Sequence, residues 1–353
     1  MNSCKEVPAM TAMLIDNGNI TKFLDSVARD RLLVAPVREE DNVVMFRHVT
    51  GGEPVCLDYL NASVSPREMF FPATEKMFAF STADGGLQPA EPAKGKRVLF
   101  GARPCDVKAI LSIDPVFSGD FPDPLYLDKR EKTTIVALAC TNPSHRCFCA
   151  TFGVDPAGAE GADLLLTQLE SCYLAEAITP KGNDLLEAYR QFFSTASGGH
   201  AAEKNRLAGA AAQKVNKLDT GGIKELLDEN FELPYWEELA LKCLNCGICT
   251  YICPTCHCFN IMDFTRGGTG GVRCRTWDSC MFMNFTRMAG GHNPRPTRKE
   301  RLRNRFMHKL KYHLDRYNLP GCVGCGRCAG ACPANIDIRQ IIKELREVAQ
   351  NGR

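Results

Sequence analysis

The sequence predicts an α/β domain over residues 1–212 followed by a mostly helical domain over residues 213–353, on three observations. From Asn17 to about Ser194, strand-like runs alternate with helix-like ones. Beyond Gln213 the apolar residues recur at helical spacing. Between the two, Ser194 to Ala212 is rich in Ala, Gly and Ser and reads as a linker or mobile surface segment.

Taken in order, Leu32 to Pro36 and Asn42 to Val49 read as strands, and Arg97 to Gly101 and Thr133 to Ala139 are β-rich apolar runs suited to a buried sheet. After Gly101 the chain turns at Arg103-Pro104-Cys105-Asp106 into a helix, with Asp106 placed to cap it. Pro180 and Gly182 break the pattern before a helical stretch near Leu185 to Phe193. In the second half, Ile223, Leu226 and Leu227 begin a helix, and Ile338, Ile341, Ile342, Leu345 and Val348 form an apolar stripe on the last one. Thr297 and Glu300 make a capping box behind Pro296, opening a helix whose Leu302, Phe306, Leu310 and Leu314 recur every four residues. No strand signal of comparable strength interrupts this half.

Composition narrows the chemistry. The 353 residues include 19 cysteines, yet Met1 to Asn17 lacks the basic start and apolar run of a secretory leader, so a cytoplasmic location is expected. No stretch reaches the roughly 18 apolar residues of a membrane span. In a reducing compartment, clustered cysteines point to metal or redox chemistry rather than disulfides. With 43 basic and 41 acidic residues, neither nucleic acid nor an anionic membrane is an expected partner.

Cys243, Cys246, Cys249 and Cys253, followed by Pro254, match the run C-x2-C-x2-C-x3-C-P, and Cys322, Cys325, Cys328, Cys332 and Pro333 repeat it. Three thiolates at intervals of three wrap one cubane, and the fourth reaches the cluster of the other run. One [4Fe-4S] cluster is therefore expected on Cys243, Cys246, Cys249 and Cys332, and a second on Cys322, Cys325, Cys328 and Cys253. The second half is thus a ferredoxin-like dicluster domain. Zinc is the plainer competitor, but tetrahedral zinc is usually served by separated cysteine pairs. Neither run leaves a vacant position for a substrate, so no catalytic residues are assigned.

The chain resembles the iron–sulfur (β) subunits of cytoplasmic [NiFe] sulfhydrogenases and the A subunit of anaerobic sulfite reductase. The resemblance rests on Arg103-Pro104-Cys105-Asp106, Cys147-Phe148-Cys149, Cys253-Pro254-Thr255-Cys256-His257-Cys258, Trp277-Asp278-Ser279-Cys280, Met288-Ala289-Gly290-Gly291-His292 and Cys322-Val323-Gly324-Cys325-Gly326-Arg327-Cys328. It implies an electron relay between a flavin-containing reductase subunit and a catalytic metal subunit, without choosing between the two families' catalytic partners. A redox sensor is the rival from another class, although two full ligand sets favour stable occupancy.

Cys105 and Cys140 each follow the carboxyl end of an expected strand, where α/β folds gather ligands, and Cys147 and Cys149 lie one short loop on. These four can converge on a third [4Fe-4S] cluster; ordinary buried thiols are the alternative. Cys256, Cys258, Cys274 and Cys280 read as packing around the clusters or as another metal site, with packing preferred. His257 and His292 read as structural or surface residues, and Cys4, Cys56 and Cys172 as incidental. The basic stretch Arg295 to Arg316 reads as the solvated face of its helix, with docking to an acidic partner as the sharper alternative. Gly267, Gly268, Gly270 and Gly271 follow no expected strand and make no dinucleotide fingerprint.

Overall fold

The structure, a computed structural model, describes residues 12–351. Cys4 and most of the stretch from Met1 to Asn17 lie outside the described residues, as does the side chain of Val348. The strands are β1 (Ala12–Asp16), β2 (Leu32–Arg38), β3 (Val44–Val49), β4 (Thr74–Ser81), β5 (Leu87–Pro89) and β6 (Arg97–Ala102). They continue with β7 (Thr133–Leu138), β8 (Leu164–Gln168), β9 (Cys172–Ala177), β10 (Ser194–Thr195), β11 (Phe259–Arg266) and β12 (Gly270–Trp277).

Eight strands form one sheet in the order β10-β1-β9-β8-β7-β6-β2-β3. Its centre, β8-β7-β6-β2, is parallel, as buried apolar runs such as Thr133–Leu138 require. The helix Asn17–Asp30 turns Ile20, Phe23, Leu24 and Val27 onto one core. The helix Pro104–Ser118 buries Val107, Ile110, Ile113 and Phe117 in another. Asp106 does not cap that helix; Arg103 holds the N-cap position without a side-chain bond, and Asp106 turns inward. Pro180 opens the helix Pro180–Ala188 rather than delaying it, since a proline in the first turn sacrifices no intrahelical bond.

The segment expected as a linker is the helix Gly198–Lys214. Its alanines are strong helix formers, and Ser197 with His200 makes a reciprocal cap at its start.

The second half is helical around its cysteine runs, but it also contributes strands. The hairpin β11–β12 joins β4 and β5 in a four-stranded sheet ordered β11-β12-β4-β5. The glycines near 270 serve this hairpin: Gly267 and Gly268 adopt φ of +59° and +80° at its turn, and a Cβ on Gly271 would lie 2.5 Å from the Phe264 carbonyl. Arg275 on β12 donates to Glu75 on β4 at 2.8 Å and also pairs with Asp123, tying the halves together. A third core, around Trp236, Phe306, Ile341, Ile342 and Leu345, lies under the cysteine loops. No helix among the described residues is long and apolar enough to cross a membrane.

Candidate functional site

Among the described residues every cysteine is a free thiol. Twelve of them ring three small voids. Cys243, Cys246, Cys249 and Cys332 line the first, and Cys253, Cys322, Cys325 and Cys328 the second. Cys105, Cys140, Cys147 and Cys149 line the third, which forms at the carboxyl ends of the parallel strands β6 and β7. The voids adjoin in series: Arg305 borders the first and second, and Cys325 borders the second and third.

Local backbone chemistry explains the first two rings. In each run a left-handed turn lets an amide fold back onto the leading sulfur: Asn245 has φ +55° and donates to Cys243 Sγ at 3.4 Å, and Gly324 has φ +63° and donates to Cys322 Sγ at 3.5 Å. The Ile336 amide donates to Cys332 Sγ at 3.3 Å. Such bonds stabilise thiolate over thiol and raise the reduction potential of a cluster held there.

The third ring is assembled by tertiary structure. Arg103 donates to the carbonyls of Ala139, at 2.8 Å, and Tyr59, clamping the ends of β6 and β7 that carry Cys105 and Cys140. The loop with Cys147 and Cys149 packs on the second cysteine run, where the Phe148 amide donates to the Gly324 carbonyl at 2.9 Å. A Cβ on Gly324 would meet the Phe148 carbonyl at 2.4 Å, so glycine alone permits this approach. Arg327, between Cys325 and Cys328, forms a buried ion pair with Asp106 at 2.7 Å and donates to the Ala62 carbonyl at 2.8 Å. The residue beside Cys105 thereby anchors the second run.

Burial pushes the thiols of Cys149 and Cys328 up to about 12 and raises Cys105, Cys140, Cys249, Cys322 and Cys325 as well. Burial thus opposes the thiolate form of these seven, whereas hydrogen bonds from Cys256 and Thr255 and the nearby Lys309 ammonium hold the Cys253 thiol well below the ordinary range; iron bound by the sulfurs would offset the burial. Sulfurs gathered around small buried voids, with the amides of Asn245, Gly324 and Ile336 aimed at three of them, have the chemistry that [4Fe-4S] clusters need.

Several site residues were not recognisable in the sequence. Arg305 and Lys309, in the stretch read as a solvated helix face, are buried, as are Arg301, Arg303 and His313. Burial opposes the charges on Arg305 and Lys309, but neighbouring cysteine sulfurs outweigh it, Cys249 first for Arg305 and Cys253 first for Lys309, so both are held protonated. The signal was their spacing of four, which places both on one helix side. Arg67, stacked 4.0 Å from the Trp277 ring centroid, donates to the carbonyls of Cys253 at 2.7 Å, Tyr251 at 3.0 Å and Cys256. Cys256, Cys258 and Cys280 line a separate, larger cavity, while Cys274 is buried in β12. His292 is exposed, and His257 lines the larger cavity. Cys56 and Cys172 border none of the three voids.

Residues 242–336 match a family described as a 4Fe-4S dicluster domain. The chain is also 32% identical to the sulfhydrogenase 2 subunit beta of Pyrococcus furiosus over 327 residues, which is 92% of this chain and 96% of that one.

Proposed function

We propose that this chain, which belongs to the family of sulfhydrogenase beta subunits, is the electron-relay subunit of a cytoplasmic oxidoreductase complex. In this reading it connects a flavin-containing reductase subunit to a catalytic metal subunit. The observation that carries it is the row of three cysteine-lined voids, in which neighbours share Arg305 or Cys325. The first [4Fe-4S] site is assigned to Cys243, Cys246, Cys249 and Cys332, and the second to Cys253, Cys322, Cys325 and Cys328. A third is assigned to Cys105, Cys140, Cys147 and Cys149.

Each cluster, when bound, supplies reversible one-electron chemistry. The rest is done by the chain. The amides of Asn245, Gly324 and Ile336 hold sulfurs in place, and the apolar wall of Trp236, Phe306, Ile338 and Leu345 excludes water. Arg305 places a fixed positive charge between the first and second sites, favouring electron uptake at both.

Affinity purification under anaerobic conditions tests the proposal. A flavoprotein and a catalytic metal subunit should copurify, with roughly twelve irons in this chain, about four per cubane. Recovery with a sulfite-reducing catalyst would move the assignment to the anaerobic sulfite reductase role. Recovery with a regulatory protein alone would replace it with redox sensing.

A further inference from the structure

Beside the second void lies a cavity of about 400 Å³, bordered by Lys309 and Arg305, that the relay reading does not use. Its volume falls in the range of small-molecule sites, ~300–1,000 Å³. Its lining is strongly one-sided in charge. Arg295, Arg305, Lys309 and Arg316 border it together with His257, His308 and His313, and no Asp or Glu does; the Lys309 ammonium itself is turned to Thr255 Oγ1, at 2.7 Å, on the side of the second void. Tyr312 and Tyr317 add hydroxyls, and Cys256, Cys258 and Cys280 close one wall.

We propose that this cavity binds a small, doubly charged oxyanion next to the second cluster site. Four cations in one cavity repel one another unless a counterion joins them. Arg305 and Lys309 also border the cysteine voids, so a cluster there compensates part of their charge. Arg295 and Arg316 border only the open cavity, and neither guanidinium has a hydrogen-bond or ion-pair partner among the described residues. Arg305, only 4% exposed, has an Nε without a hydrogen-bond partner.

The histidines complement the cations. Their ring centroids stand 5.3, 5.7 and 6.2 Å apart, in a triangle on one side of the cavity. No three such groups among the described residues are arranged around one metal ion, and the surrounding cations disfavour one. His257 engages the Thr255 carbonyl and His313 the Leu319 carbonyl through Nδ1, which leaves Nε2 of each unused by those bonds. The backbone widens at the same place: the helix Arg298–Met307 continues through a π-helical turn, His308–Tyr312, that supplies three lining residues. Such turns occur often at functional sites. Arg316 is exposed, so the cavity reaches solvent and an anion can enter without unfolding.

The test is calorimetric titration of the anaerobically reconstituted full chain with inorganic phosphate and with sulfate, ionic strength being held constant with chloride. At least one should bind saturably at one site. Arg316→Gln and Arg295→Gln should each weaken that binding at least tenfold with iron content unchanged, while Lys299→Gln should leave it as it is. Absence of saturable binding for both anions overturns the proposal. So does an unchanged affinity in both arginine variants at full iron content. Failure here leaves the relay reading standing, because copurification and iron stoichiometry do not depend on this cavity.

Discussion

Two ways of gathering four cysteines coexist in this molecule. In the second half the rings are built from short local runs, with turns at Asn245 and Gly324 folding amides onto sulfur. In the first half Cys105, Cys140, Cys147 and Cys149 come from two strand ends and a loop, held by Arg103 and by the neighbouring cysteine run. A local ring carries three of its four positions in its spacing and takes the fourth from the other run. A dispersed ring borrows its geometry from the sheet, and so depends on everything that fixes β6 against β7.

Removing the dispersed ring should have the largest effect. Cys147→Ser combined with Cys149→Ser should cost about four of roughly twelve irons per chain, a third of the total, while the ferredoxin-type signals persist. Iron analysis with electron paramagnetic resonance reads this directly. If the double variant keeps its full iron, the four are structural thiols.

Within the local rings, Cys332→Ala should alter the spectrum of the site on Cys243, Cys246 and Cys249, lowering iron by up to about four. Loss confined to the site on Cys322, Cys325 and Cys328 would contradict the crossed assignment.

Coupling between the two constructions runs through Asp106 and Arg327, both almost fully buried. Asp106→Asn strands a buried guanidinium and should destabilise the protein by about 3–5 kcal/mol. Anaerobic denaturant unfolding measures it, and the exposed Glu40→Gln should stay within about 0.5 kcal/mol of the parent.

The smallest effect concerns pH. Burial first, then Lys309, lowers His257 from 6.5 to about 4, with His313 and Arg67 adding to the shift. Between pH 6.5 and 4 the unfolded chain takes up a proton that the folded chain refuses. Stability is therefore greatest above pH 6.5 and declines as pH falls towards 4, by roughly 1–3 kcal/mol from this group. His257→Gln should flatten that part of the profile; an unchanged acid slope would assign it elsewhere.

The same contrast explains what the sequence revealed. The strands Leu32–Arg38, Val44–Val49, Arg97–Ala102 and Thr133–Leu138 were legible because apolar runs bounded by turn residues leave few alternatives. The two cysteine runs were legible because their spacing alone brings three thiols of each run to a common void. The hairpin β11–β12 was not, since Ile261, Met262 and Phe264 are exposed on it and its pairing to β4 is a long-range choice. Arg301, Arg303, Arg305 and Lys309 misled because composition cannot say which side of a basic helix meets water, and here sulfur-lined voids receive part of it. The linker reading weighed small residues over the helix propensity of the alanines in Gly198–Lys214.

The pairing of β4 with β12 also sets a schedule. Glu75 and Arg275 are separated by 200 residues, so at ribosomal speeds of about 5–20 residues per second β4 waits roughly 10–40 s for its partner strand to be synthesised. Through that interval β4 offers an unpaired edge, and the Cys105 ring lacks the Cys325 loop that closes it. Maturation therefore finishes from the last-made part of the chain backwards. The Cys105 ring, earliest in the order of synthesis, is thus incomplete until the C-terminal run has emerged.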